Sequence, residues 1–441
     1  MPNPILPLWE YIPDGEPRVF GDRVYLYGSH DRVASDAFCD FKLKVWSADI
    51  NDLNNWKCHG DSFRTRDKDG NPVDAPWTNR ELFAPDVIEK DGKYYLYAYI
   101  VDSKGAVGVS DRPEGPFKLL SSYKYDTEVG DEGIFNDAGV LVDDDGQVYV
   151  YYGFTESNMN KINPDNMYEI LDGSYQRPVI DDSENVPNEK RFFEASSPRK
   201  INGKYYLIYS PCVGNRLAYA TSDSPMGPFT YRGYIIDNGA DYPAGNNHGS
   251  VCNINGQWYV FYHKTTNNTI MSRRACVEKI EILPDGTIPT VEMTSLGFED
   301  ALNPYKLTPA EIACVLKGGC YVTEKDLFTR VVTSITDGNI IGYKYFDFGG
   351  DFTGDDMRLC LKVHGTGAKC RVHILTDDYE NGDEIGVCEI GIGDGIYRAE
   401  CKKLTGRHAI YFIAEHNFEG WTAEYFHGRP LLELEEFVFI K

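Results

Sequence analysis

Five copies of one motif leave this chain few ways to fold. A polar turn carrying glycine is followed each time by an alternating, tyrosine-rich run. The copies read GDRVYLYGS from Gly21, GKYYLYAY from Gly92, GQVYVYYG from Gly146, GKYYLIYS from Gly203 and GQWYVFYH from Gly256. Turns such as KDG, DDDG and ING ahead of such runs are hairpin signals. The copies lie roughly 50 to 70 residues apart, about the length of a four-stranded propeller blade. A second pattern keeps the same beat: GVSDRPEGPF from Gly108 and ATSDSPMGPF from Ala220 are near copies, and VWSADINDLNNW from Val45 is a looser third. Sustained helical periodicity is hard to find. Repetition of all-β units at this period predicts a five-bladed β-propeller over about residues 1–300.

With 441 residues the chain is too long for one hydrophobic core. Near residue 300 the tyrosine-rich repeat stops, and FEDALNPYKLTPAEIAC reads as a linker and entry strand. From there to Lys441 short alternating strands are broken by turns such as GGD, NGD and GIGDG. That pattern predicts a β-sandwich, jelly-roll-like, over residues 301–441. The expected fold class is therefore all-β.

In a propeller the first strand of every blade lines a central channel, so equivalent residues converge. Reading back seven to nine residues from each turn glycine, six in the second copy, gives Asp14, Asp86, Asp137, Glu194 and His248. Buried unpaired carboxylates are costly, and a repeat built only for packing has no use for them there. Acids gathered on one axis are what acid/base chemistry requires. Taken singly, each acid also reads as a turn residue, Asp86 most of all because it follows Pro85. His248 also reads as a packed core histidine.

The formal charge of −24 repels phosphate backbones, and no basic block offsets it, so nucleic acid is excluded as a partner. A neutral sugar is indifferent to that field, and 31 Tyr, 22 Phe and 6 Trp suit both strands and sugar stacking. The 11 cysteines are an odd, scattered set without metal-like spacing, which points to a reducing compartment. The opening MPNPILPLWEYIPDGEP has no basic n-region and no apolar h-region, so a cytoplasmic location is expected. No apolar run reaches the length of about 18 residues that a membrane span needs.

Three segments carry a family likeness. IPDGEPRVFGDRVYLYGSHD, NDAGVLVDDDGQVYVYYG and FFEASSPRKINGKYYLIYS resemble, in order and spacing, the catalytic segments of glycoside hydrolase family 43. FAPDVIEKDGKYYLYAY and NNHGSVCNINGQWYVFYHK extend the resemblance across the first 300 residues or so. It implies Asp14 as general base, Glu194 as general acid, and Asp137 as the residue that orients the acid and tunes its pKa. Pro13-Asp14-Gly15 and Glu194-Ala195-Ser196 stand where A-D-P and E-G-P are commoner. The resemblance further implies a sugar- or calcium-facing role for His248, and an arginine near the orienting Asp, supplied by Arg273 or Arg274. Neighbours on a strand face opposite ways, so at most one of these two reaches the channel. His30 and Phe83, at strand ends, and Asp86 are further candidates for the substrate pocket.

AEIACVLKGG, TDGNIIGYKYFDFGG and LLELEEFVFIK resemble family 6 carbohydrate-binding modules. That likeness implies a structural calcium near Glu311, and sugar stacking on Tyr343 and Trp421; packing is the other reading of both rings. Calcium is the one cofactor implied, and no organic cofactor is expected. The expected activity is inverting exo-hydrolysis of plant-type oligosaccharides, by an α-L-arabinofuranosidase or β-xylosidase. A β-galactofuranosidase or galactosidase, a retaining glycosidase, and a non-catalytic sugar-binding protein are the competing expectations. Oligomeric state is not legible.

Overall fold

The structure, a computed structural model, describes residues 1–33, 35–122, 135–181, 183 and 185–441. Five antiparallel sheets follow one another along the chain, each pairing its strands in chain order. The first holds β1 (Glu16–Phe20), β2 (Arg23–Tyr27), β3 (Lys42–Asp49) and β4 (Asp52–Arg64). The second holds β5 (Leu82–Lys90), β6 (Lys93–Ile100), β7 (Ala106–Ser110) and β8 (Lys118–Ser122). The third holds β9 (Gly139–Val142), β10 (Val148–Tyr152) and β11 (Asn158–Ile162). The fourth holds β12 (Phe192–Ile201), β13 (Lys204–Pro211), β14 (Arg216–Ser222) and β15 (Thr230–Asp237). The fifth holds β16 (Ser250–Ile254), β17 (Gln257–Thr266) and β18 (Thr269–Ile280).

The repeated motif is the hairpin joining the first two strands of each sheet. In three copies the turn pairs are Asp91-Gly92, Asn202-Gly203 and Asn255-Gly256, all at positive φ. Such turns carry the right-handed twist of the strands they join, which is why Asn or Asp precedes the glycine. The first strands then meet in a circle: β1 touches β5, β5 touches β9, β9 touches β12, and β16 touches β1. Between β12 and β16, Ser197 Oγ hydrogen-bonds to Ser250 Oγ at 2.6 Å, and Arg199 Nε donates to the Val251 carbonyl at 3.0 Å. The chain start completes the ring. Ile5 N–H donates to the Ala275 carbonyl at 3.0 Å, and Val277 N–H to Asn3 Oδ1 at 2.9 Å, so the first residues edge the fifth sheet.

Beyond residue 300 the strands form two larger sheets. One runs Tyr321–Glu324, Arg330–Ile335, Leu432–Ile440, Met357–Gly365 and Gly395–Cys401, with Thr308–Pro309 beside Leu432–Ile440. The other runs Val315–Lys317, Ile340–Asp347, Arg407–His416, Cys370–Thr376 and Asp383–Ile390. Their aromatic rings interlock: Phe412 of one and Phe437 of the other lie 5.0 Å apart, edge to face. Tyr343, expected to stack on sugar, belongs to this core. It is wholly buried, 4.7 Å from Phe437, and its hydroxyl donates to the Ala310 carbonyl at 3.0 Å. A ring without a solvent face cannot be a platform, so that expectation is corrected.

The two regions pack closely. One apolar cluster continues from Leu217, Tyr219 and Tyr262 into Val315, Ile341 and Phe437. Lys264 Nζ donates to the Ala313 carbonyl at 2.9 Å, and Asn267 N–H to the Val322 carbonyl at 2.7 Å. Among the described residues no helix is long and apolar enough to cross a membrane. All eleven cysteines are free thiols.

Candidate active site

Strand register places the site. Glu16 pairs with Tyr27, Asp86 with Tyr97, Gly139 with Tyr151, Ser197 with Ile208 and Ser250 with Phe261, the same rung of each sheet. Two residues earlier stand Asp14, Ala84, Asp137, Ala195 and His248. The first four have φ of 57°, 33°, 51° and 68°. Non-glycine residues in this region are strained by about 1–3 kcal/mol, and such positions cluster at functional sites. In β12 the register shifts on both sides of Glu194, which bends the strand and re-aims its side chains.

Asp14, Asp137, Glu194 and His248 converge. His248 Nδ1 lies 3.8 Å from both Asp14 Oδ1 and Asp137 Oδ2. Asp137 Oδ2 accepts the N–H of Ala195, beside Glu194, at 3.2 Å. Asp14 Oδ1 accepts from Arg273 Nη1 at 2.9 Å and Asp14 Oδ2 from Ser29 Oγ at 2.7 Å. Ser29 Oγ accepts in turn from Ala84 N–H at 2.7 Å, which leaves Phe83 at the start of its sheet, half-buried and 5.6 Å from Tyr99. Asp31 holds Arg273 through its main-chain N–H, Nε and Nη2, each at 2.9 Å.

These surroundings drive the carboxyls apart. Burial pushes Asp14 up, but Arg273 first, with His248 and Ser29, outweighs it, and its pKa ends below the ordinary value. Glu194 is raised to about 7, by burial first and then by the negative charge of Asp14, against the pull of Arg273. Asp137 is also raised, by burial and by the neighbouring Glu194 and Asp14, with His248 opposing. His263 is pushed down to about 3 by burial and by Arg273, so its ring is neutral. Its Nδ1 accepts the N–H of Asp14 at 3.3 Å, and its Nε2 lies 3.0 Å from the Asn246 carbonyl, which fixes the proton on Nε2. One carboxylate held ionised and a second held protonated, inside one channel, are the two halves of an acid/base pair.

Three expected members lie elsewhere. Asp86 sits two rungs deeper than Asp14 and Asp137, level with Glu16 and opposite Tyr97. Its carboxylate receives Arg18 at 2.6 and 3.0 Å and Val140 N–H at 2.8 Å, tying the first three sheets together. His30 is also corrected: Nε2 bonds Glu10 at 2.9 Å and Nδ1 bonds Asp40 at 3.1 Å, so neither nitrogen is free for a sugar. Burial opposes its charge, yet the two carboxylates win and raise its pKa. Of the adjacent arginines only Arg273 enters the channel, and it meets Asp14 rather than Asp137. Arg274 turns the other way, to Glu311 Oε2 at 3.3 Å.

That pair decides the calcium expectation at Glu311. Calcium needs six to eight oxygen ligands, whereas this carboxyl faces Arg274, with Arg330 and Lys264 also nearby, and burial outweighs all three and raises its pKa. The residues there do not fit the ion. Among the described residues no group of three or more His, Cys, Asp and Glu is placed to hold a metal, His248 included.

Ser29, Asp31, His263 and Phe38 were not anticipated. Ser29 and Asp31 flank His30, and His263 ends the fifth tyrosine-rich run just as Ser29 ends the first. Phe38 places its ring 4.9 Å from the Arg273 guanidinium carbon and so walls the same space.

The sequence model described as glycosyl hydrolases family 43 matches residues 1–288. A xylosidase/arabinosidase of Thermoclostridium stercorarium is 36% identical, covering 93% of this chain and 95% of that protein. Among solved structures, CoXyl43 is a beta-xylosidase/alpha-arabinofuranosidase from a compost microbial metagenome, in complex with xylotriose. It is 30% identical with a TM-score of 0.56, covering 66% of this chain and 99% of its own. An arabinoxylan arabinofuranohydrolase from Bacillus subtilis, at 24% identity and a TM-score of 0.56, shares the fold over 100% of this chain and 97% of its own. A family match over well more than half of the residues, joined to a relative alike along nearly the whole chain, shows that the protein belongs to glycosyl hydrolases family 43 and is a glycoside hydrolase.

Proposed function

We propose that the chain is an inverting, exo-acting glycosidase that removes terminal α-L-arabinofuranosyl or β-D-xylosyl units from plant-type oligosaccharides. The observation that carries this is the opposed tuning of Asp14 and Glu194: one lowered by Arg273, the other raised by burial and by Asp14 itself. Asp14 draws a proton from water on one face of the sugar while Glu194 protonates the leaving oxygen on the other. Inversion requires the two carboxyls about 6.5–9.5 Å apart, with the water between them. Asp137 holds the Glu194 strand through Ala195, and its own pKa is raised by burial and by Glu194 beside it. The relatives named above, called xylosidase/arabinosidase and beta-xylosidase/alpha-arabinofuranosidase, support the choice of sugar.

In this reading residues 1–300 are a five-bladed β-propeller, one blade per sheet. Residues 301–441 are a β-sandwich of the family 6 carbohydrate-binding kind, with Trp421 as its exposed stacking ring. The closed circle of first strands supports the former, and two sheets joined by interlocked rings support the latter.

The test is hydrolysis of p-nitrophenyl α-L-arabinofuranoside, β-D-xyloside, β-D-galactofuranoside and β-D-galactoside, with Glu194→Gln alongside. Turnover of either of the first two, reduced by about 10²–10⁴-fold in the variant, is expected. NMR of the first-formed sugar should show the inverted anomer. Full activity in Glu194→Gln would remove that residue from the mechanism, and a retained anomer would make the second carboxylate a nucleophile.

A further inference from the structure

Beside the acid stands an aromatic pair that the mechanism does not use. Phe154 follows β10 and is 57% exposed, an unusual state for a phenylalanine whose backbone is so firmly held. Gly153 N–H donates to the carbonyl of Asn136, next to Asp137, at 3.0 Å, and Thr155 N–H to the carbonyl of Phe193, next to Glu194, at 2.6 Å. Gly153 itself has no room for a side chain, since a Cβ there would lie 1.8 Å from the Glu156 carbonyl oxygen. The ring of Phe154 rests 4.8 Å from that of Phe193, tilted by 55°. Phe193 lies within the β12 irregularity that also re-aims Glu194. An exposed ring is thus pinned, through two main-chain hydrogen bonds, to the neighbours of both raised carboxyls.

Chemistry gives the ring an occupant. A general acid protonates the oxygen that leaves with the departing group, so that group must lie on the acid's side of the cut bond. A pyranose presents a face of C–H bonds, the surface a flat ring covers best, and a pre-fixed aromatic spends little conformational entropy in holding it. Resting on the assignment of Glu194 as acid, we propose that Phe154, backed by Phe193, is the platform for the leaving-group sugar, a xylopyranose of a xylo-oligosaccharide. This makes the pair a determinant of substrate choice rather than of bond cleavage, because it touches only what departs.

A substrate with no leaving sugar separates the two roles. Wild type, Phe154→Ala and Phe154→Trp are compared on xylobiose and on xylobiose bearing an α-L-arabinofuranosyl branch. The same three proteins are compared on β-D-xylosyl and α-L-arabinofuranosyl fluorides, whose leaving group is a single atom. The expected result is about a tenfold fall in kcat/KM for Phe154→Ala on the oligosaccharide that wild type cleaves, carried mainly by KM. The matching fluoride should be hydrolysed at the wild-type rate, Phe154→Trp should recover the oligosaccharide, and Tm should stay unchanged. Equal losses on oligosaccharide and fluoride, or no loss on either, would overturn the platform alone. A wild type that hydrolyses neither fluoride would overturn the proposed activity and the platform with it.

Discussion

Arg273 Nη1 and Asp14 Oδ1 lie 2.9 Å apart at the centre of the ring of sheets, with both side chains almost entirely withdrawn from water. The pair works on both carboxyls of the proposed mechanism. Arg273 lowers Asp14 against its burial, and it also lowers Glu194, which burial and Asp14 raise.

Arg273→Leu should therefore shift the whole pH–rate profile. In wild type, kcat/KM needs Asp14 ionised and Glu194 protonated, so activity spans the interval from below the usual carboxylate range up to about pH 7. Without the guanidinium, the largest group opposing burial at Asp14 is gone, and the acidic limb moves to higher pH. The alkaline limb moves the same way, because Glu194 loses a group that lowered it. Kinetics from pH 3 to 9 read both limbs; an alkaline limb that moves down, or a profile that only shrinks, contradicts this account.

Asp137→Asn separates function from stability. The folded-state pKa of Asp137 is raised, so the folded protein holds a proton there that the unfolded chain releases near pH 3.9. Stability from that proton is full below the unfolded pKa and is lost as pH rises through the folded one, at about 7. The asparagine variant carries no such proton. Its Tm should match wild type near pH 4 and exceed it at pH 8, while kcat falls because the Ala195 N–H beside Glu194 loses its carboxyl acceptor. Calorimetry at the two pH values checks the crossing.

Much of the ring was legible because its signal is repeated. Each copy of the turn and tyrosine-rich strand confirms the others, and the spacing back to Asp14, Asp137, Glu194 and His248 survives local variation. Asp86 breaks the pattern: it lies two residues deeper than Asp14 and Asp137, and counting from the glycine alone hides that step. The partners of Asp14 were illegible for another reason. Ser29 and His263 come from two sheets far apart in sequence, and only ring closure brings them to Asp14, along with Arg273, expected near Asp137 and held here by Asp31. Tyr343 and Trp421 look alike in sequence, and burial alone tells them apart.

Asp86→Ala should harm the fold and spare the chemistry. The substitution takes the carboxylate from Arg18 Nε and Nη2, leaving Nη2 the Val140 carbonyl, and leaves Val140 N–H without its acceptor. Removing one partner of such a buried pair costs about 3–5 kcal/mol. Denaturant titration should show that loss, while kcat/KM per folded molecule and both pH limbs stay as in wild type. A shifted limb with unchanged stability would return Asp86 to the acid set.

Trp421 tests whether the second region meets carbohydrate. It opens the short helix Trp421–Phe426, is 71% exposed, and stands beside Tyr425, itself 79% exposed and 6.4 Å away edge to face. Both rings face solvent without the cover that buries Tyr343, so they carry little of the fold's stability. Trp421→Ala should leave Tm and turnover of small aryl glycosides unchanged and should weaken retention in an affinity gel containing soluble arabinoxylan. Tyr343→Ala should do the reverse, costing about 3–5 kcal/mol through the cavity it opens without altering retention of the folded fraction. If Trp421→Ala migrates like wild type at every polysaccharide concentration, these rings are not the platform, and the second region's part in the enzyme is to pack against the ring through Lys264, Arg274 and the shared apolar cluster.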